Sequence, residues 1–162
     1  MTRFLNVIMY LVFFILISGC PEDKNPTGPQ FTAISEDHST IADPLERWQA
    51  YGLEDYVIEQ QVSCFCIFGG REFQVYVAGN KISKIIEIES GSPIDSTLWG
   101  FYKTIDELFE IIESIEGDSV YNSQVEYDAR FGFPSLISLD YNQHIADDEI
   151  AYITKNLLQL AR

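Results

Sequence analysis

Basic residues are scarce in this chain. Ten Lys and Arg stand against 25 Asp and Glu in 162 residues, a formal net charge of −15. Such a surface repels phosphate backbones, and no cluster of Lys and Arg is present to release counterions, so nucleic acid is excluded as a partner. Histidine is limited to His38 and His144, and neither stands at ligand spacing from a cysteine or beside a nucleophile. The chain also lacks G-x-S-x-G, a phosphate-cradling glycine loop and H-E-x-x-H, which removes the serine-hydrolase, P-loop and zincin readings. Carboxylates are so numerous that pairs among them say nothing about glycoside chemistry. No cofactor and no catalytic residue is expected. Cysteine is nearly absent too: Cys20, Cys64 and Cys66 are the only three.

Long apolar runs are missing, with one exception. After Arg3 the sequence is apolar almost without a break from Phe4 to Ile17, a signal-peptide pattern shorter than the roughly 20 residues of a membrane span. It ends at Ile17-Ser18-Gly19-Cys20, which resembles the lipobox of bacterial lipoproteins. That resemblance implies cleavage before Cys20, diacylglycerol on its sulfur and acylation of the new amino terminus. Residues 1–19 are then a signal peptide, and the 143 residues from Cys20 carry a net charge of −16, since only Arg3 is lost. The expected membrane partner is reached through the acyl groups on Cys20, because an acidic face has no attraction for anionic headgroups. The expected location is the cell envelope, facing the periplasm or the exterior.

Residues 20–42 read as a flexible tether rich in Pro, Gly, Thr, Ser and charge, with His38 solvated within it. The domain follows over 43–162. Asp43-Pro44-Leu45-Glu46 opens a first helix, with Trp48 and Tyr51 on its apolar face and Gly52 as its stop. A second helix opens at Thr104 with Glu107 three residues on; Ile105, Leu108, Phe109, Ile112 and Ile115 form its stripe, and Gly117 closes it. Between and after the helices the period is two. Tyr56, Ile58, Val62, Cys64 and Cys66 share one face opposite Glu59, Gln61 and Ser63. Phe73, Val75 and Val77 alternate next, and Gly79-Asn80 turns the chain into Lys81 to Glu89, where Ile82, Ile86 and Ile88 continue the apolar face. Tyr121, Val125 and Tyr127, then Ile137, Leu139 and Tyr141, give two more alternations. The segment from Ile150 fits a helix through Ile153, Leu157 and Leu160, or a strand through Tyr152 and Thr154.

The expected fold is α+β: an antiparallel sheet of five to six strands with two helices on one face, in the order α-β-β-β, α-β-β-β. That order is similar to small PepSY and beta-lactamase-inhibitor-protein modules. A closer resemblance is carried by Trp48, Gly52-Leu53-Glu54-Asp55-Tyr56, Ser63-Cys64-Phe65-Cys66, Thr104 to Phe109, Val125 to Asp128, Gly132-Phe133-Pro134 and Ile145 to Glu149. From about Pro44 to Ile153 the chain resembles the bacterial family of unknown function DUF6174. This implies a secreted or lipid-anchored domain whose final acidic segment is a strand, and it brings no catalytic residues. The tail from Asn156 to Arg162 is more helical in pattern than that.

Cys64 and Cys66 are expected to face the core, where reduced thiols are common. In an oxidising compartment they are also each other's only partner once Cys20 is acylated. A regular strand holds such residues about 6.5 to 7 Å apart, so a disulfide needs a bend, which Phe68-Gly69-Gly70 can supply. A local disulfide, two core thiols, a redox pair and a metal site all stand open. Asp140, Asn142, Asp147 and Asp148 gather oxygens in a turn and form a calcium candidate, although the glycine and spacing of an EF-hand are missing. Trp99, Phe101 and Tyr102 in the long loop from Ser90 form a binding-loop candidate, or else pack beneath the second helix. The function these features suggest is a lipid-anchored, non-enzymatic envelope module that binds a protein or other surface component through its open sheet face or the Trp99 loop; the alternative is a thiol–disulfide redox protein using Cys64 and Cys66.

Overall fold

A computed structural model describes residues 28–115, 120–145 and 147–161. The expected signal peptide, Cys20 and Gly117 lie outside the described residues. The chain runs β1 (Phe31–Thr32), α1 (Pro44–Tyr51), β2 (Tyr56–Ser63), β3 (Glu72–Ala78), β4 (Lys81–Glu87), a 3₁₀ turn (Ser96–Phe101), α2 (Ile105–Ile115), β5 (Asn122–Tyr127), β6 (Pro134–Asp140) and β7 (Ile150–Leu160). The protein is α+β, with seven strands in one antiparallel sheet ordered β4-β3-β2-β7-β6-β5; β1 adds to the far end of β7. No helix among the described residues is long and apolar enough to cross a membrane.

Local chemistry sets the helix ends. Asp43 Oδ1 accepts the Glu46 amide at 2.8 Å, and Pro44 occupies the first turn of α1, where its missing N–H costs nothing. At α2 the box is reciprocal: Thr104 Oγ1 accepts the Glu107 amide and Glu107 Oε2 accepts the Thr104 amide, at 3.2 and 2.7 Å. Gly79 and Asn80, with φ of 56° and 60°, make the left-handed pair that a two-residue hairpin between β3 and β4 requires.

The inward face is built in rows: Tyr56, Ile58, Gln60 and Val62 of β2 stand beside Val77, Val75 and Phe73 of β3 on one side and Thr154 and Tyr152 of β7 on the other. Trp48, Tyr51, Ile105, Leu108 and Phe109 close over these rows in a single apolar cluster. Gln60 is the polar member, 1% exposed. Its Oε1 accepts the Lys103 amide at 2.9 Å, while its Nε2 donates to the Lys103 carbonyl and to Thr154 Oγ1. The Tyr56 hydroxyl accepts the Ile105 amide at 2.9 Å, and Trp48 Nε1 donates to Asp106 at 2.8 Å.

One open reading closes and two expectations change. The last segment is a single 11-residue strand; an extra residue at Asn156, with φ 56°, makes a bulge between the Val57–Leu158 and Glu59–Lys155 pairs. Buried positions therefore run Tyr152, Thr154, Leu157, a step of two and then three that imitates helical spacing. A second bulge, at Ser83, shifts β4 by one, so Ile85 and Glu87 face inward where Ile86 and Ile88 were expected, and the strand ends at Glu87. Within the segment 20–42 expected as a tether, Phe31–Thr32 joins the sheet, and His38, expected to be solvated, stacks edge-on against Tyr51 at 4.7 Å. His38 is thus packed against α1.

Replacing Gln60 by Leu keeps the volume but strands the Lys103 amide and carbonyl. We expect a loss of about 1–3 kcal/mol in urea unfolding, against about 0.5 kcal/mol or less for exposed Gln124→Leu.

Candidate functional site

The chain leaves the sheet at Ser63, before either cysteine. The Cys66 amide donates to the Cys64 carbonyl at 2.9 Å, a three-residue turn centred on Phe65. That turn brings the two α-carbons to 5.3 Å, and Cys64 and Cys66 are joined by a disulfide; the separation suits the bond. Two further turns follow, Gly69 N–H to the Cys66 carbonyl and Arg71 N–H to the Phe68 carbonyl, each at 3.1 Å. The Gly70 amide returns to the Val62 carbonyl at 2.9 Å, and Gln61 Nε2 donates to the Gly70 carbonyl at 3.0 Å. Gly69 is the keystone of the winding, since a Cβ there would strike the Cys64 carbonyl oxygen. The cysteines are therefore half-buried in a turn rather than aligned on a core strand, and the reading as two reduced core thiols is corrected.

Below this loop Phe68 packs on Phe73 with ring centres 5.5 Å apart, and Arg71 lies over the Phe68 ring. Arg71 is ion-paired with the buried Glu87, whose Oε2 accepts the Ser90 hydroxyl at 2.6 Å. Above it, Phe65 is 88% exposed and Ile67 72% exposed, the two most exposed large apolar side chains among the described residues. The sequence carried a signal for them. The alternation that put the cysteines on one face put Phe65 and Ile67 with Ser63 on the other, where apolar residues need a reason.

Beside the tip lies a groove of about 370 Å³ between Phe65 and the β6–β7 connection, with Asp147 and Glu149 on its far side. Its floor is the row Ser63, Ala151, Ser138, cross-strand neighbours on β2, β7 and β6 on the face of the sheet away from the helices.

The calcium candidates behave differently from a ligand set. Asp140 Oδ1 accepts the Asn142 amide and Asn142 Oδ1 accepts the His144 amide, both at 3.0 Å, so these side chains wind their own turn. Asp147 lines the groove, Asp148 is half-buried, and among the described residues no three His, Cys, Asp or Glu converge as a metal site. In the Trp99 loop, Trp99 is half-buried with Nε1 donating to the Ile94 carbonyl at 3.3 Å, and Phe101 is 37% exposed. Tyr102 is a core residue against Phe73, not a surface anchor.

Residues 40–159 match the family model described as "Family of unknown function (DUF6174)". The chain belongs to DUF6174. No curated protein and no solved structure matches it. In this DUF6174 domain the matched span takes in both helices, the disulfide tip and the groove.

Two outcomes follow from this geometry. The disulfide closes a ring of three residues, so Cys64→Ser/Cys66→Ser should cost only about 1–2 kcal/mol of stability while abolishing slow hydrogen exchange at the Gly70 amide. Burial also holds the Tyr102 hydroxyl protonated well above the ordinary tyrosine range, with Glu87 adding to it. Its folded pKa is the higher one, so its contribution to stability is complete below the unfolded value of about 10 and falls as pH rises past it. That hydroxyl has no hydrogen-bond partner among the described residues, so Tyr102→Phe should leave stability near pH 7 within about 1 kcal/mol and flatten the alkaline fall.

Proposed function

We propose that this chain is a lipid-anchored, non-enzymatic domain of the bacterial cell envelope that binds a protein partner through the tip formed by Phe65 and Ile67. One observation carries the reading: two large apolar side chains stand in solvent on a loop closed by a disulfide and successive backbone turns. Leaving each exposed forgoes about 1.5–3 kcal/mol of burial, and such exposure marks an interaction site when a fold maintains it rigidly. Because the loop is already ordered, a partner meets little conformational cost.

The lipobox at Cys20 supports the anchor. Polarity supports the orientation: β1 pairs with β7 at Leu160, whereas the tip leaves β2 at Ser63 beside Ala151, about 25 Å away along the strands. A chain tethered at its amino terminus thus presents the tip on the pole opposite its anchor. The reading includes a kinship of layout with PepSY and beta-lactamase-inhibitor-protein modules, supported by the succession of helix, three strands, helix, three strands after β1.

The expected intact mass of membrane-purified protein is that of a chain starting at acylated Cys20 and alkylated at two thiols only after reduction. In the same membranes a photo-crosslinking residue in place of Phe65 should capture a protein, with Trp99→Ala/Phe101→Ala leaving the product unchanged. Equal capture from position 101 would move the site to the Trp99 loop. A partner trapped through Cys64 after Cys66→Ser would instead assign thiol–disulfide exchange.

A further inference from the structure

We infer that the partner presents a cationic rim around an apolar socket, so that Phe65 and Ile67 enter the socket while a Lys or Arg of the partner lies in the groove between Phe65 and Asp147 and Glu149. The inference rests on the tip being the binding site. The groove is lined by unlike groups: the Phe65 ring is apolar, Asp147 and Glu149 are acidic, and the small side chains of Ser63 and Ala151 lie between them. A Lys or Arg side chain is divided in the same way, with a methylene stem that covers apolar surface and a charged head that seeks carboxylates. A cation passing over the face of Phe65 gains further from the ring. None of the seven Lys and Arg among the described residues lines the groove, and the chain as a whole carries −15. Long-range attraction and the local walls therefore select the same partner charge. A lipid surface fits less well, because anionic headgroups repel the carboxylates that flank the tip.

The test uses the full-length protein in nonionic detergent micelles, titrated with the dye-labelled peptide Gly-Lys-Leu-Lys-Gly and its Glu counterpart and followed by fluorescence anisotropy. The Lys peptide should bind, more weakly as salt rises, and the Glu peptide should not. Asp147→Asn/Glu149→Gln should weaken it about fivefold or more, and Phe65→Ala, which removes only an exposed ring, should do likewise. Glu110→Gln/Glu113→Gln removes the same charge from the exposed side of α2 and should change affinity by less than about twofold. Equal losses in the two charge variants overturn the groove, as does tighter binding of the unchanged protein than of Phe65→Ala, which carries the same acyl anchor, to neutral phosphatidylcholine vesicles. If the Lys peptide fails to bind while the cross-link from position 65 still forms, the cationic partner is overturned and the tip remains the binding site.

Discussion

The buried amide of Gln60 is the constraint on which the arrangement of layers depends. A glutamine in the middle of an apolar sheet face must find partners for both its donor and its acceptor, because an unmade hydrogen bond there costs more than a made one contributes. The Lys103 backbone answers both, and Thr154 on the neighbouring strand takes a second bond from Nε2. One side chain therefore links the two central strands to the segment that starts α2. Tyr56, four residues earlier on the same face, receives the amide two residues on, that of Ile105. With its first turn held in this way α2 lays Leu108 and Phe109 on the sheet, and Asp106 reaches Trp48 to bring α1 into the same layer. Apolar contact alone would permit α2 to slide; the polar contacts choose one position.

The pinned β2 has a consequence at its other end. Since its register with β3 and β7 is set residue by residue up to Ser63, the loop after Ser63 starts from a fixed point and direction. The disulfide and the turns around Gly69 then need only organise eight residues, Cys64 to Arg71, to hold Phe65 and Ile67 outward. Rigidity of the tip is inherited from the sheet as much as made by the sulfur bridge. The acidic connection between β6 and β7 is brought beside it because β7 pairs with β2 on one side and β6 on the other. That pairing joins segments more than eighty residues apart in the chain, so the groove has no counterpart in any local stretch of sequence.

The departures from regular alternation at Asn156 and Ser83, like a third register shift in β6 opposite Glu126 and Tyr127, have one physical origin. A bulge adds a residue to one strand, and every side chain beyond it changes face. At Asn156 the extra residue adopts a left-handed conformation that asparagine tolerates better than most, and its side chain donates to Glu59 across the pair at 2.6 Å. At Ser83 the hydroxyl donates to the Tyr76 carbonyl, satisfying an acceptor beside the interrupted ladder. Period-two reasoning was therefore right along β2 and β3 and failed beyond these two points, putting Ile86 and Ile88 where Ile85 belongs and leaving the last strand indistinguishable from a helix.

What the sequence determined by itself is what acts over a few residues. The caps at Asp43 and Thr104, the stripe of α2, the Gly79-Asn80 turn and the alternation of Phe73, Val75 and Val77 are all local physics, and with them the class of fold could be read. The pairing of Cys64 with Cys66 was open between four readings, because its geometry depends on where β2 ends and no propensity states that. Tyr102 was open between a loop anchor and a residue packed beneath the second helix for the same reason: a loop residue is exposed or buried according to what packs over it. Only the tertiary structure placed Gln60 under Lys103, carried Asp147 to within a groove's width of Phe65 and set β1 at the pole opposite the tip. Those facts depend on which distant strands pair and on where a bulge shifts their register, quantities decided by burial and hydrogen bonding over the whole sheet rather than by neighbours in the chain.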